Sequence, residues 1–378
     1  MLERFSGPGT EQLRKLFREQ SLINLRRLKA QENRHYRVDR NDTLTVVINQ
    51  GCRLGCSSCF RTLEEKREID AGLLHRVADY AARHFHSLSL TGGEPTDSIP
   101  LIVETARKHP DLRINVTTNG EEINDAVFRS LSTAPNIFPV LSLNGIGNRH
   151  DASRHPGSFQ QLMTTVDCLR KLQIPFGVLT VINGTNISQL LTGELAGFID
   201  AIGACSLEFL QYYPIGTRDH TCSELPLTSR QIDESLTYRD TLEGENRYSF
   251  SYRSSQSGGK RCQRALQVFI DGEISYCPFS VWGFDRIKSD DTDDMIRSKF
   301  DHHFKQWTVL TAESPSFCPL QSNTKGYVDF FSRNGTRLYE PTGILDVKSP
   351  AHETYCNTAG ASQILNRKPG ECSNFNRG

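Results

Sequence analysis

Between residues 43 and 211 short β-rich runs alternate with stretches of helical periodicity, and nothing else in the chain limits its fold so strongly. Thr43–Asn49 (TLTVVIN) reads as a strand. Ile69–Phe85 carries Leu73, Leu74, Val77, Ala78 and Ala81 at the spacing of one helix face. The same alternation continues with strands at Ser87–Thr91, Arg113–Thr117, Val140–Leu143, Phe176–Val181 and Ser206–Gln211. The helices between them fall at Pro100–Lys108, Glu122–Leu131, Phe159–Leu172 and Ser188–Ile202. Repeated strand–helix units build a parallel sheet with helices outside. Six strands fall short of the eight that close a full barrel. The expectation is an α/β fold: a partial (βα)6 TIM-like barrel over residues 43–215, followed by a small α+β domain. In such sheets function gathers in the loops that leave the C-terminal ends of the strands.

The flanking segments read differently. Residues 1–42 form a polar, basic extension with a helical stretch near Glu11–Lys29. Residues 216–260 read as a linker, with a helix around Ser229–Leu242 and a hinge at Ser254–Lys260 (SSQSGGK). Residues 261–330 form the small domain, opening with a hairpin (ALQVFIDGEISYC) that turns at Asp271-Gly272. Residues 331–378 are a polar tail. The net charge is zero, which gives no case for a nucleic-acid or membrane-surface partner. No run of about 18 apolar residues is present, and the N-terminus lacks the apolar core of a secretory signal. A cytoplasmic location is expected. There are 11 cysteines. An odd count fits full pairing poorly, and in a reducing compartment clustered cysteines read as metal ligands.

NQGCRLGCSSCFR places Cys52, Cys56 and Cys59 in one tight loop just after the first strand. Three thiolates can hold three irons of a cubane cluster, leaving the fourth iron open for a substrate or cofactor. A structural zinc site is the alternative. It needs four ligands, usually as two pairs, and no second pair lies nearby.

This C-x₃-C-x₂-C spacing after the first strand of a partial barrel resembles the signature of the radical S-adenosylmethionine (SAM) superfamily. The resemblance implies a 4Fe–4S cluster on Cys52, Cys56 and Cys59 whose open iron chelates SAM. Electron transfer to the sulfonium then yields a 5′-deoxyadenosyl radical that takes a hydrogen atom from the substrate. It also implies an external one-electron donor of flavodoxin or ferredoxin type. Ser58 stands where the family often has an aromatic residue, and Phe60 follows the third cysteine instead.

Further motifs carry the same resemblance. LSLTGGEPT ends the second strand and is similar to the GGEP motif, which implies that Gly92, Gly93 and Glu94 bind the SAM amino group. VTTNG and LSLNG end the next two strands. By resemblance Asn119 and Ser142 contact the SAM ribose and carboxylate, while by turn chemistry alone Asn-Gly is a standard turn pair. HDASRHPGSF (His150–Phe159) resembles a segment of radical SAM enzymes with a SPASM or Twitch extension, and implies that Arg154 contacts the SAM carboxylate. Tyr212 and Tyr213, at the end of the sixth strand, read equally as cavity lining and as packing aromatics.

Cys262 and Cys277 frame the hairpin in a C-x₉-G-x₄-C pattern, which matches the start of the SPASM/Twitch auxiliary-cluster motif. Cys318 is the candidate third ligand. The remaining SPASM cysteines are absent, so a single auxiliary 4Fe–4S cluster fits better than two. Cys222, Cys356, Cys372 or an open iron remains for the fourth position. Cys168 and Cys205 read as small buried hydrophobes. Pro278 stands where the sulfatase-maturing branch has an acidic base, which disfavours that reaction.

Three functions stay open at this level. The first is modification of a ribosomally made peptide by cross-link, epimerisation or oxidation, although residues 1–42 hold too little for a separate leader-binding domain. The second is oxidation or rearrangement of a small metabolite such as an aminocyclitol, sugar or amino acid. The third is an electron-transfer or scaffold role without SAM cleavage, which the intact GGE motif disfavours.

Overall fold

A computed structural model of the chain describes residues 43–56, 59, 67–121, 123, 125–213, 226–228, 230–235, 237–238, 249–253, 266–313 and 323–338. The Glu11–Lys29 helix, the Ser254–Lys260 hinge and the 339–378 part of the tail lie outside these residues.

All six expected strands form: β1 (Thr43–Val47), β2 (Ser87–Thr91), β3 (Arg113–Thr118), β4 (Ile137–Ser142), β5 (Gly177–Ile182) and β6 (Ser206–Gln211). Each pairs in parallel with the next, and the sheet curls into a half-barrel with helices outside. The crossover helices are α1 (Ala71–His84), α2 (Ile99–Lys108), α3 (Asp125–Ser132), α4 (Asn148–Ser153), α5 (Ser158–Lys171), α6 (Ile187–Leu191) and α7 (Glu194–Ala201). α1 begins where the Asp70 carboxylate accepts from the Leu73 N–H, and it buries Leu73, Leu74, Val77, Ala78 and Ala81 against the sheet.

Three features differ from the sequence reading. The helix expected over Ser188–Ile202 is split into α6 and α7, because Gly193 takes φ +76° and the chain cannot continue as one helix. The short α4 within the HDASR motif carries no apolar periodicity and was not expected. The sheet also extends past both ends of the six-strand core. β7 (Ser249–Arg253), from the stretch read as linker, pairs in parallel with β6. At the other edge β8 (Leu266–Val268), the first strand of the expected hairpin, pairs in parallel with β1. The sheet order is thus β7-β6-β5-β4-β3-β2-β1-β8-β9, with eight strands parallel and only β9 (Ile274–Ser275) antiparallel.

The hairpin turns as expected. Phe269 N–H donates to Glu273 O at 2.8 Å, and Gly272 N–H to Phe269 O at 2.9 Å. Gly272 sits at φ +89°, and a Cβ there would overlap the Ile287 carbonyl, so the turn requires glycine. Beyond it come β10 (Trp282–Gly283), α8 (Asp293–His302), α9 (Phe304–Glu313), α10 (Thr324–Asn334) and β11 (Thr336–Arg337), which pairs with β10. Tyr276, Phe284, Trp307, Tyr327 and Phe331 pack ring against ring there, in a core continuous with that of the barrel. Asp293 at the start of α8 accepts from Arg76, Arg83 and His84 of α1, and so ties this layer to the barrel.

Candidate functional site

The cysteine loop is closed at its base. Residues returning from it run antiparallel to the strand exit: Gln50 N–H donates to Arg67 O at 3.0 Å and Ile69 N–H to Ile48 O at 2.8 Å. Cys59 N–H donates to Cys56 O at 3.1 Å. Ser58 and Phe60 lie outside the described residues.

The loop is then fastened to the end of β2, first by backbone hydrogen bonds. Gly93 N–H donates to Asn49 O at 3.0 Å and Glu94 N–H to Gly51 O at 2.7 Å. The Asn49 side chain completes the joint, donating to Glu94 O at 2.8 Å and Ser98 Oγ at 3.1 Å while accepting from Gly93 N–H. A Cβ on Gly92 would come within 2.6 Å of Asn49 Oδ1, and one on Gly93 within 2.9 Å of the Gln50 carbonyl carbon. The two glycines are therefore required first by the close approach of two backbones.

Glu94 is 1% exposed. Its Oε1 accepts from Thr96 N–H, Thr96 Oγ1 and Thr118 Oγ1, and its Oε2 from Asn119 N–H at 2.8 Å. Burial pushes this carboxyl up, while the donors from Asn119, Thr118 and Thr96 pull it down. The carboxylate thus joins the ends of β2 and β3.

Arg154 and Glu121 are both buried at the ends of β3 and β4. Arg154 donates to Glu121 Oε1 at 3.3 Å, Asn119 O at 3.4 Å and Ser142 O at 3.0 Å. Its Nε–H has no partner among the described residues. Glu121 Oε2 also meets His155 Nε2 at 2.6 Å. Asn119 uses its Oδ1 to accept from Glu121 N–H at 2.7 Å. Gly92, Gly93, Glu94, Asn119, Ser142 and Arg154 are thereby all brought to one end of the barrel, the end that carries the cysteines.

The thiols are coupled to this frame. Burial raises Cys52 to about 11, and the negative charges of Glu94, Cys56 and Cys59 push in the same direction against a backbone hydrogen bond at Leu54. Burial also raises Cys56, with the Arg154 cation opposing it. Cys52 and Cys56, thiols that resist ionisation in a partly dry site, fit together with Cys59 as ligands of a cationic iron cluster, which would supply the missing positive charge. One iron of a four-iron cubane then has no cysteine from this loop.

The hairpin cysteine Cys277 is buried, and its carbonyl accepts from Ser275 Oγ at 3.3 Å. Cys262 and Cys318 lie outside the described residues, as do Cys222, Cys356 and Cys372. Cys205 packs with Phe138 and Val140, as a small hydrophobe would. Tyr212 and Tyr213 are buried, and the Tyr213 ring lies 5.2 Å from that of Phe279, two residues past Cys277. Sequence reasoning missed Asn49, Thr96, Thr118, Glu121 and His150. The GEE following the third strand was the one visible signal for Glu121. His150 is fully buried, and its Nδ1 accepts from Asn144 N–H at 3.1 Å. Among the described residues no helix is long and apolar enough to cross a membrane.

Residues 46–192 match the Radical SAM superfamily. The AdoMet-dependent heme synthase of Methanosarcina barkeri is 28% identical over 196 residues, covering 49% of this chain and 54% of that protein. The sporulation killing factor maturation protein SkfB of Bacillus subtilis is 27% identical over 154 residues, covering 39% and 37%. The chain thus spans about half the length, or less, of these curated relatives. Among solved structures, native anSMEcpe with bound AdoMet and Cp18Cys peptide superposes with a TM-score of 0.56 at 18% identity, covering 86% of this chain and 98% of that one. That likeness concerns the fold.

Proposed function

From residues 46–192, which belong to the Radical SAM superfamily, we propose that this protein modifies a ribosomally made peptide, using a 4Fe–4S cluster on Cys52, Cys56 and Cys59 together with SAM. The observation that carries the reading is the joint between the cysteine loop and the GGE segment, which holds Cys52 near Glu94 and Cys56 near Arg154, with Cys59 close to both thiols. Cluster and SAM, when bound, supply reductive cleavage of the sulfonium and hydrogen-atom abstraction from an unactivated C–H bond.

The chain's own residues do the rest. Asn49, Gly92 and Gly93 hold the loop against the sheet. Glu94 fixes the strand ends around the SAM amino group, since its oxygens already accept four donors. Arg154 offers its unpaired Nε–H to the SAM carboxylate, and Glu121 holds the guanidinium in place. Asn119 and Ser142 supply amide and hydroxyl groups at the same rim. Cys277, with Cys262 and Cys318, would hold an auxiliary cluster, which would supply an electron-accepting centre. A flavodoxin or ferredoxin is the proposed donor to the first cluster.

The names of SkfB and of the peptide-bound anSMEcpe structure support a peptide substrate. The heme synthase name supports the second reading, a small non-peptide substrate. The test uses anaerobically reconstituted protein with dithionite, SAM and a low-mass extract of the cells that make it. A SAM-dependent mass change in a peptide is the expected result. A change confined to non-peptide components would replace the first reading by the second. Cys52→Ala should abolish 5′-deoxyadenosine formation, and Cys277→Ala should spare it while stopping product.

A further inference from the structure

The register of the sheet separates two walls. Leu44 lies opposite Leu88 and Leu266, and Leu88 opposite Ile114. These side chains are buried in the main core beneath the helices. Because side chains alternate along a strand, the residues between them face the inside of the barrel. One level of that inner wall runs Gln267, Thr45, Ser89, Asn115, Phe138. From β8 to β3 it carries hydroxyls and amides. Across β4 and β5 it turns apolar, where Phe138, Val140 and Leu179 gather with Cys205 in a cluster apart from the main core, and on β6 Ser206 and Glu208 continue the same face.

Most polar groups on this wall satisfy one another. Thr43 and Ser87 share a hydrogen bond of 2.9 Å, and Arg113 Nε donates to Asn115 Oδ1 at 2.8 Å. Gln267 stands apart in that both of its polar atoms lack a partner among the described residues. It is 1% exposed. A buried carboxamide left unpaired is destabilising, and native proteins seldom keep one without a reason. Gln267 lies between Thr45 of β1, the strand that leads to the cysteine loop, and Ser275, whose hydroxyl donates to Cys277 O. It therefore stands on the inner wall between the two cysteine-bearing segments.

We propose that Gln267 is a substrate-recognition residue that pairs with a backbone amide of the bound peptide, accepting from its N–H and donating to its C=O; this rests on the peptide-modifying function proposed above. A carboxamide offers one acceptor and one donor face side by side, the complement of a peptide group. A charged ligand group would meet no counter-charge at Gln267, and an apolar one would leave both faces unpaired. The opposite apolar wall of Phe138, Val140 and Leu179 suits a side chain of the same peptide.

The test compares wild type with Gln267→Met, which keeps the shape and removes both polar atoms. The first readout needs no ligand. The unfolding midpoint of Q267M should rise by about 2–4 °C, because an unsatisfied amide has been removed. A lower midpoint would mean the amide is satisfied and would overturn the proposal. The second readout is 5′-deoxyadenosine formation in reconstituted protein, with N-acetyl-alanine N-methylamide as the peptide-group probe and myo-inositol as the polyol probe. The amide probe should stimulate wild type, with half-maximal concentration raised about ten-fold in Q267M, the equivalent of roughly 1.4 kcal/mol. Equal half-maximal concentrations, stimulation by inositol alone, or no stimulation of wild type by the amide would each overturn it. Iron-replete wild type that forms no 5′-deoxyadenosine at all would sink the proposed function instead, and the midpoint of Q267M would still decide whether the amide is unpaired.

Discussion

Gly93→Ala tests whether the cluster site is built on backbone contact. The new methyl group would lie 2.9 Å from the Gln50 carbonyl carbon and closer still to the Gly51 carbonyl. Neither neighbour is a flexible side chain, so the two segments must separate. Separation breaks Gly93 N–H to Asn49 O and Glu94 N–H to Gly51 O. At about 1 kcal/mol each these contribute about 2 kcal/mol. Forcing a methyl into a filled space adds about 1–3 kcal/mol. The expected loss is thus about 3–5 kcal/mol, or roughly 6–10 °C at about 2 °C per kcal/mol. The assay pairs thermal unfolding with iron and labile sulfide per chain after anaerobic reconstitution, and iron at the first site should fall with the midpoint. Gly197→Ala is the control. It lies in α7 with nothing within 4 Å of the added Cβ, and should match or exceed wild type by up to about 1 kcal/mol. A Gly93→Ala protein that holds wild-type iron and melts like wild type would refute the reasoning.

Three further outcomes are expected. Glu94→Gln should cost about 3 kcal/mol and weaken SAM binding, measured by calorimetry. Each carboxylate oxygen faces a backbone N–H, of Thr96 or of Asn119, that cannot reverse to accept from an NH₂ group. Asp293→Asn should cost about 2 kcal/mol in urea unfolding at pH 7, with a smaller difference in 1 M salt, because the partly exposed cluster with Arg76, Arg83 and His84 is screened. The Arg83 hydrogen bond holds the Asp293 carboxyl well below the carboxylate range, so this contribution is present above pH about 4 and lost as pH falls below it. His150 loses stability in the same direction for a different reason. Burial, with the Arg154 cation adding to it, lowers its pKa from 6.5 to about 3. The folded state keeps the ring neutral while the unfolded chain takes up a proton, so stability is complete above pH 6.5. It is lost towards pH 3 at up to about 1.4 kcal/mol per unit. The difference in urea midpoint between wild type and His150→Gln should therefore change with pH from 7 to 4.5, and a constant difference would refute it.

The parallel core was legible because its signals are local. Leu73, Leu74, Val77, Ala78 and Ala81 repeat at helical spacing, and Asp271-Gly272 marks its own turn. The three cysteines and the GGE motif were legible for the same reason, since each lies within a few residues. What escaped was set by tertiary partners. Asn49 resembles any strand-end asparagine until Gly93 and Glu94 are placed beside it, and Glu121 resembles a solvated acid until Arg154 folds over it. The break at Gly193 escaped because Ile187, Leu190 and Leu195 keep an apolar rhythm across two short helices.

The pairing of β8 with β1 was the least legible feature and carries a mechanical consequence. Leu266 meets Leu44 across a gap of more than two hundred residues, and parallel pairing leaves no turn between the partners for a sequence to display. Yet β1 ends in the loop that holds Cys52, while β8 leads through Phe269–Glu273 and β9 to Cys277. Two cysteine-bearing segments therefore share one hydrogen-bonded ladder rather than resting on a flexible link. A ladder of this kind fixes spacing, because sliding β8 by one residue would carry Gln267 from the inner wall to the helix-covered face and Val268 the opposite way. That slip would put the Gln267 amide among Leu44, Leu88 and Ile114, out of reach of a ligand, and take Val268 out of the main core. The same residue that offers itself to a ligand thus helps to hold the register on which the distance between the cysteine loop and Cys277 depends.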